Sequence, residues 1–243
     1  MKGSKAVNID KKEILCTLGP SSLNDYTLAR LTELGVDLLR INLSHTKIED
    51  LEDIIQYIRK QTPLPICLDT EGAQIRTGRM AERSLYLREN EILEIARQDG
   101  RGDAGGLSFY PEEILPVFQE GDLISIDFNS VLAQIMENNS RGLKLRIITG
   151  GKVGPNKAVT ILNREVHLPV LTKKDLQALK IGKALGIAHV ALSFANRGTD
   201  VDFVRRRTSP QTRIISKIES LSGFQNLEDI ARKSDALLID RGD

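Results

Sequence analysis

The 243-residue chain has few of the residues that define disulfide-rich or base-stacking proteins: two cysteines, no tryptophan and 4% aromatic residues. Cys16 and Cys67 each lie in an apolar segment, and we interpret both as small core residues rather than as a disulfide framework. The formal net charge is only +1. Neither the small net charge nor the scattered aromatic residues suit a nucleic-acid-binding surface. The sequence therefore indicates neither a disulfide-rich protein nor a nucleic-acid-binding one.

Long apolar runs are also absent from the sequence. None approaches the roughly 18 residues that cross a bilayer, and residues 1–10 lack the apolar stretch of a signal peptide. Hydrophobic residues make up 40% and charged residues 28% of the chain, as is usual for globular proteins. We therefore expect a cytoplasmic protein with no membrane or nucleic-acid partner.

Short apolar runs alternate with amphipathic helical patterns, which is typical of βα units on a parallel sheet. The sequence predicts strands at 13–18, 38–43, 65–70, 189–194, 213–218 and 236–239. Thr172 is a predicted helix N-cap, and further helices are predicted at 200–207 and 221–233. The fold class is therefore α/β.

The periodicity changes between about 80 and 168, where short alternating runs are separated by turns containing glycine and asparagine. This pattern predicts a small all-β insertion after the third strand. We divide the chain into residues 1–79 and 169–243, the two parts of one domain, and residues 80–168, the inserted domain.

Polar residues cluster where the predicted strands end, and in parallel sheets and barrels that edge carries the chemistry. Lys217 and Glu219 are two residues apart, so both side chains leave the strand on the same face. A strand covered on both faces is normally apolar throughout. This pair is therefore the clearest indication of a functional site.

The other strand ends supply complementary groups. Arg40 and Arg76 can bind phosphate or carboxylate, or form salt bridges. Glu219 and Asp243 can bind Mg²⁺ or Mn²⁺, with Lys217 stabilising a phosphoryl group or an enolate. Hard oxygen ligands for a cation, which could equally be caps or turn formers, come from four residues: Asn42, Ser44, Asp69 and Thr70.

A glycine-rich loop at 150–157 could approach phosphate, with Lys152 or Lys157 supplying charge, or could be a plain hairpin turn. It matches no Walker pattern.

Six segments, in order along the chain, together resemble pyruvate kinase. They are residues 14–22 (ILCTLGPSS), 39–45 (LRINLSH), 68–78 (LDTEGAQIRTG), 168–175 (LPVLTKKD), 215–219 (ISKIE) and 241–243 (RGD). The resemblance implies a TIM barrel, of which six of eight strands are present, with an all-β lid inserted after strand three. It also implies glycolytic phosphoryl transfer between phosphoenolpyruvate and ADP, with Mg²⁺ and K⁺.

The resemblance also implies a role for each site residue. Lys217 would stabilise the transferring phosphoryl group, and Glu219 and Asp243 would bind Mg²⁺. Substrate contacts would come from Ser193, Lys217, Gly242 and Asp243. Phosphate and nucleotide contacts would come from Arg40, Asn42, Arg76 and Lys157, and the K⁺ site from Asn42, Ser44, Asp69 and Thr70. The family resemblance further implies a homo-oligomer.

The chain departs from the family pattern in its third strand segment, where Glu71, Ala73 and Gln74 replace lysine, proline and glutamate. Glu71 reverses a charge beside the expected phosphate site, and Gln74 changes the position linked to K⁺ dependence. The sequence also ends at Asp243, before the last two barrel strands, so we expect a fragment or a barrel completed by a partner chain.

Two alternatives follow from these departures. One is a metal-dependent lyase, aldolase or binding protein for pyruvate or a related 2-oxo acid. The other is a non-catalytic pseudoenzyme.

Overall fold

The computed structural model describes residues 13–72, 74–78, 80, 82–96, 106–127, 130–164, 166 and 168–239. These residues divide into two compact units. The sheet unit contains the described residues of Met1–Gly72 and Val170–Asp243, and the β unit contains those of Ala73–Pro169. Within the described residues, no helix is long and apolar enough to cross a membrane.

The strands are β1 (Leu15–Leu18), β2 (Leu38–Asn42), β3 (Ile66–Asp69), β4 (Ile75–Thr77), β5 (Leu85–Leu87), β6 (Ile92–Ala96), β7 (Phe109–Tyr110), β8 (Leu123–Ile126), β9 (Val131–Asn139), β10 (Gly142–Thr149), β11 (Gly151–Val153), β12 (Ala158–Ile161), β13 (His189–Leu192), β14 (Arg213–Lys217) and β15 (Ala236–Leu238). The α-helices are α1 (Asp25–Glu33), α2 (Leu51–Gln61), α3 (Lys173–Ala184), α4 (Gly198–Arg205), α5 (Leu221–Gln225) and α6 (Leu227–Lys233). Short 3₁₀ helices cover Leu43–His45, Ile48–Asp50 and Glu112–Val117.

The sheet unit is built on six parallel strands in the order β1-β2-β3-β13-β14-β15. Every predicted strand of this unit is present. The first ends at Leu18 as predicted but begins two residues later, and the other five end one or two residues earlier than the sequence indicated. Because helices cover one face of the sheet, residues such as Leu39, Leu68 and Ile214 are fully buried there. The predicted α/β class is confirmed.

The opposite face of the sheet carries a smaller apolar cluster, formed by Leu38, Cys67, Ala191 and Ile215. Burial, more than the nearby Asp69 carboxylate, raises the pKa of the Cys67 thiol to about 12. This thiol therefore stays neutral, and Cys67 is a core residue as predicted.

Two helical predictions have different outcomes. Thr172 caps α3 in a reciprocal capping box with Asp175, as its sequence position indicated. The helix predicted at 221–233 has the predicted ends but is divided at Asn226, where α5 ends and α6 begins. The Asn226 side chain donates to the carbonyls of Asn196 and Ser222, at 3.0 and 2.9 Å, which favours a break in the helix at that residue.

The β unit contains an antiparallel seven-stranded sheet in the order β6-β10-β9-β8-β12-β4-β7 and a separate pair, β11-β5. Alternate residues point into one core, which includes Phe118, Ile124, Ile135 and Leu145. The strand β4 belongs to this unit, so the chain changes units at 72/73 and 169/170.

The glycine-rich segment at 150–157 is only partly a loop. Gly151–Val153 pairs antiparallel with Leu85–Leu87. A Cβ on Gly150 would lie 2.6 Å from the Leu87 carbonyl oxygen, and one on Gly151 would lie 2.2 Å from that of Ser130. These two glycines permit close approach between strands, which is a structural reason for their presence.

Candidate active site at the strand ends

Polar side chains collect at the carboxyl edge of the parallel sheet. Asn42, Asp69 and Lys217 are the last residues of β2, β3 and β14, and Ser193 directly follows β13. Since side chains alternate between the two faces, Cys67 and Asp69 share a face, and Ile215 and Lys217 share theirs. On this face of the sheet, the layer next to the apolar cluster, toward the carboxyl edge, therefore consists of charged groups.

Lys217 is the centre of this charged layer, and its side chain is 7% exposed. Its Nζ lies 3.0 Å from Glu219 Oε1 and 3.6 Å from Asp69 Oδ1, and it donates to Ser193 Oγ at 3.1 Å. The side chains of Asp69 and Glu219 are each 1% exposed. A buried ammonium is thus paired with two buried carboxylates, the arrangement that a charge in a low-dielectric site requires.

Arg40 joins the same cluster from β2. Its Nε donates to Thr17 Oγ1 at 2.7 Å, and its Nη1 lies 3.5 Å from Asp69 Oδ2. The Arg40 side chain is 16% exposed, more than that of Lys217, so it lies closer to solvent. Asp69 therefore interacts with two cations, and the cluster of Arg40, Asp69, Lys217 and Glu219 balances two positive against two negative charges.

Glu219 is fixed by a backbone group as well as by Lys217. The N–H of Phe194 donates to Glu219 Oε2 at 2.9 Å. Ser193 connects the neighbouring strand end, since its N–H donates to Thr70 Oγ1 at 3.0 Å and its hydroxyl donates to the Thr70 carbonyl at 2.7 Å. Backbone contacts thus hold the site side chains across three adjacent strands.

The four residues predicted as a K⁺ site lie on adjacent strand ends, with Asn42 opposite Asp69 in the register. Asn42 Oδ1 accepts the N–H of Ser44 at 2.9 Å. Thr70 Oγ1 accepts from Ser193, and Asp69 pairs with Arg40 and Lys217. Their observed contacts are those of a hydrogen-bonded scaffold, and a role in K⁺ binding stays a prediction.

Glu71 is bound within the sheet unit. Lys174 Nζ lies 2.8 Å from Glu71 Oε1 and donates to the Leu43 carbonyl at 2.5 Å, and Thr172 Oγ1 donates to Glu71 Oε2 at 3.2 Å. The backbone N–H of Glu71 donates to Asp175 Oδ1 at 2.8 Å. The negative charge of Glu71 is therefore paired with a lysine at the start of α3.

Arg76 and Lys157 belong to the β unit, whereas the other predicted site residues belong to the sheet unit. Arg76 Nη1 donates to the Asn156 carbonyl at 3.4 Å, and Lys157 Nζ lies 3.2 Å from Asp127 Oδ2. The predicted ligands Gly242 and Asp243 lie outside the described residues. Among the residues that are described, no group of three or more His, Cys, Asp and Glu could hold a metal ion.

Two site features were not predicted from the sequence. The Phe194 N–H has no sequence signal, because its direction depends on a backbone angle. Lys174 and Asp175 could have been noticed, since the spacing of Thr172 and Asp175 is that of a capping box.

The protein-family model for the pyruvate kinase barrel domain matches residues 9–243 of the chain. The chain is 32% identical to pyruvate kinase of Chlamydia pneumoniae over 245 aligned residues, which cover 97% of this chain and 50% of that protein. It is 31% identical to pyruvate kinase of Aeropyrum pernix, covering 95% of this chain and 51% of the relative. Pyruvate kinase of Kluyveromyces lactis is also 31% identical, with coverages of 97% and 50%.

The chain belongs to the pyruvate kinase family, and it spans about half the length of these curated relatives.

Proposed function

We propose that the chain carries the phosphoenolpyruvate-handling site of a pyruvate-kinase-type transferase, which moves a phosphoryl group between phosphoenolpyruvate and ADP. The observation that supports this most strongly is the buried Lys217 ammonium, held by Asp69, Ser193 and Glu219 at the carboxyl edge of a parallel sheet. Phosphoryl transfer depends mainly on positioning and on neutralising charge. A fixed, water-shielded cation suits that requirement.

Each side chain of the cluster would have a distinct task. Lys217 would donate to an oxygen of the transferring phosphoryl group, and Arg40, which is closer to solvent, would contact the phosphate from β2. Asp69 would keep both cations in place, since it pairs with each of them. Ser193 would contact the substrate while linking Lys217 to β3.

The position of Glu219 supports a role in binding a divalent metal ion. Mg²⁺ commonly binds through one or two carboxylates together with substrate oxygens, and Glu219 supplies a buried carboxylate whose orientation is fixed by Phe194 and Lys217. Glu219 and Asp243 would hold the ion, which when bound supplies positive charge to the phosphate oxygens.

The remaining roles extend the proposal beyond the sheet unit. Arg76 and Lys157 would contact phosphate and nucleotide, Gly242 would contact the substrate, and Asn42, Ser44, Asp69 and Thr70 would form a K⁺ site. The six strands would be part of an eight-stranded barrel with residues 80–168 as its lid. We also propose a cytoplasmic homo-oligomer.

The experiment measures Mg²⁺-dependent binding of oxalate, an analogue of enolpyruvate, by calorimetry, together with pyruvate release from phosphoenolpyruvate and ADP in a lactate-dehydrogenase-coupled assay. We expect both in the 243-residue chain and neither in its Lys217→Met variant. Lys144→Met, which removes a partly exposed lysine of the β unit, is the matched control.

The three candidate functions give different results. Oxalate binding without pyruvate release would contradict phosphoryl transfer and favour a lyase or a binding protein for a 2-oxo acid. Loss of both signals in the unmodified chain would leave the pseudoenzyme.

A further inference from the structure

Phe194 has a backbone conformation that bulky residues avoid. Its φ is +51°, in the left-handed region where a side chain meets its own carbonyl oxygen. Such strain persists only where the surrounding structure enforces it, and it is concentrated at functional sites. Phe194 itself is only partly buried, so burial of the ring is not a sufficient reason for this conformation.

The strained turn directs three successive N–H groups to the neighbouring strand ends. Ser193 donates to Thr70 Oγ1 at 3.0 Å, Phe194 to Glu219 Oε2 at 2.9 Å, and Ala195 to the Lys217 carbonyl at 3.2 Å. Consecutive N–H groups around a left-handed residue commonly form a concave anion site. Here the anion that the Phe194 N–H binds is the carboxylate of Glu219.

Gly72 gives the Phe194 ring its space. A Cβ on Gly72 would lie 2.8 Å from Phe194 Cδ2 and 3.0 Å from Ser193 Cβ, and Gly72 itself has a φ of +69°. The end of β3 thus accommodates the ring while the backbone of Phe194 faces Glu219.

We propose that Phe194 is a positioning residue that fixes the Glu219 carboxylate for divalent metal binding through its backbone N–H rather than through its ring. The inference rests on the proposed function of Glu219 as a metal ligand. It assigns to Phe194 a role that is independent of its side-chain chemistry.

Two variants separate the N–H from the ring. Replacing Phe194 with phenyllactate, by nonsense suppression, changes the amide to an ester and removes only the N–H. Phe194→Gly removes the ring, keeps the N–H and tolerates the positive φ. Mn²⁺ binding followed by electron paramagnetic resonance should weaken about tenfold or more in the ester variant, because a hydrogen bond to a charged group is lost. It should change less than about threefold in Phe194→Gly.

The matched control is the same ester replacement at Phe203, which removes a backbone N–H inside α4. That variant should bind Mn²⁺ like the unmodified chain. Unchanged Mn²⁺ affinity in the Phe194 ester would overturn the proposal, and so would an equal loss in Phe194→Gly.

A second readout separates this inference from the proposed function. If the unmodified chain binds no Mn²⁺, the metal role of Glu219 is wrong, and amide exchange measured by nuclear magnetic resonance decides whether Phe194 still holds the carboxylate. Protection of the Phe194 amide should fall about tenfold or more in Glu219→Ala, while that of Phe203 should not change. Equal protection of the Phe194 amide in both proteins would refute the positioning role.

Discussion

The sheet unit and the β unit bury charge in two different ways. In the sheet unit the Lys217 ammonium forms ion pairs with two carboxylates, that of Glu219 at 3.0 Å and that of Asp69 at 3.6 Å. In the β unit Arg164 and Asp122 form a bidentate pair, with two contacts of 2.7 Å. The Arg164–Asp122 pair joins one cation to one anion through two hydrogen bonds, whereas the Lys217 ammonium lies between two carboxylates and also donates to Ser193 Oγ.

The titration of buried aspartates shows the same contrast. Burial alone would raise the pKa of Asp122, but its hydrogen bonds from Arg164 and from the Gln119 N–H outweigh burial and lower it. At Asp175 in the sheet unit burial dominates, and the pKa is raised despite the N–H groups of Thr172 and Glu71. The two aspartates therefore differ in which effect is larger, the hydrogen bonds at Asp122 and burial at Asp175.

The largest effect should come from removing the central cation of each unit. Lys217→Met leaves two buried carboxylates close together and should lower the free energy of unfolding by about 3–5 kcal/mol. Arg164→Met, whose side chain is 27% exposed, should cost less. Urea unfolding followed in each unit by amide exchange measures both. A larger loss in Arg164→Met would reverse the comparison.

Partial recovery should follow from removing a partner charge as well. The Lys217→Met/Glu219→Gln double variant should be more stable than Lys217→Met alone, since one unpaired carboxylate is gone. Purely additive losses would show that Lys217 and Glu219 do not interact.

Two left-handed glycines test the crowding at the site. Gly72→Ala should cost about 3 kcal/mol, from the positive φ and from the contact with Phe194. Gly121→Ala in the β unit has a φ of +89° but no neighbouring atom within 4 Å of the new Cβ, and should cost about 1 kcal/mol. Equal losses in thermal unfolding would indicate that Phe194 moves aside without cost.

The pH dependence of stability should have opposite signs at the two aspartates, with smaller effects than those above. Asp122 binds protons less readily in the folded than in the unfolded state, so the stability that it contributes is present above pH 3.8 and is lost as the pH falls further. Asp175 binds protons more readily when folded, so stability falls as the pH rises from 3.8 through its raised pKa.

Urea midpoints measured across this range, with Asp122→Asn and Asp175→Asn as matched variants, check both signs. Each variant should remove the slope that its aspartate contributes. A pH dependence of the urea midpoint that remains in the variant arises from another titratable group.

The smallest effect is expected on the surface of the β unit. Lys144 lies 3.8 Å from Glu94 and 3.9 Å from Glu137, and the two glutamate side chains are exposed while that of Lys144 is partly exposed. Lys144→Ala should change stability by less than about 0.5 kcal/mol. A loss above 1 kcal/mol in urea unfolding would mean that the β unit depends on exposed pairs as well as on Arg164.

The sequence was sufficient for the parts of the fold with strong local signals. Buried parallel strands are short, nearly continuous apolar runs, so all six were found, and the i, i+2 spacing placed Lys217 beside Glu219 correctly. The capping residue Thr172 was identified for the same reason. These features depend on residues that are near one another along the chain.

The remaining features depend on contacts between distant residues. The order of the β-unit strands, in which β4 lies between β12 and β7, is set by non-local pairing that no local pattern encodes. The break at Asn226 depends in part on the carbonyl of Asn196, thirty positions away. The direction of the Phe194 N–H depends on a positive backbone angle, and the hydrogen bonds around that angle reach Thr70, Glu219 and Lys217 on other strand ends.

The network around Glu71 has a consequence for how the chain could evolve. The chain leaves the sheet unit after Gly72 and returns at Val170, and Glu71 is bonded to Thr172, Lys174 and Asp175 beside that return point. The residues of the sheet unit that precede and follow the β unit are therefore bonded to each other. Recombination could exchange, lengthen or delete the insertion between them while the parallel sheet keeps its own connections.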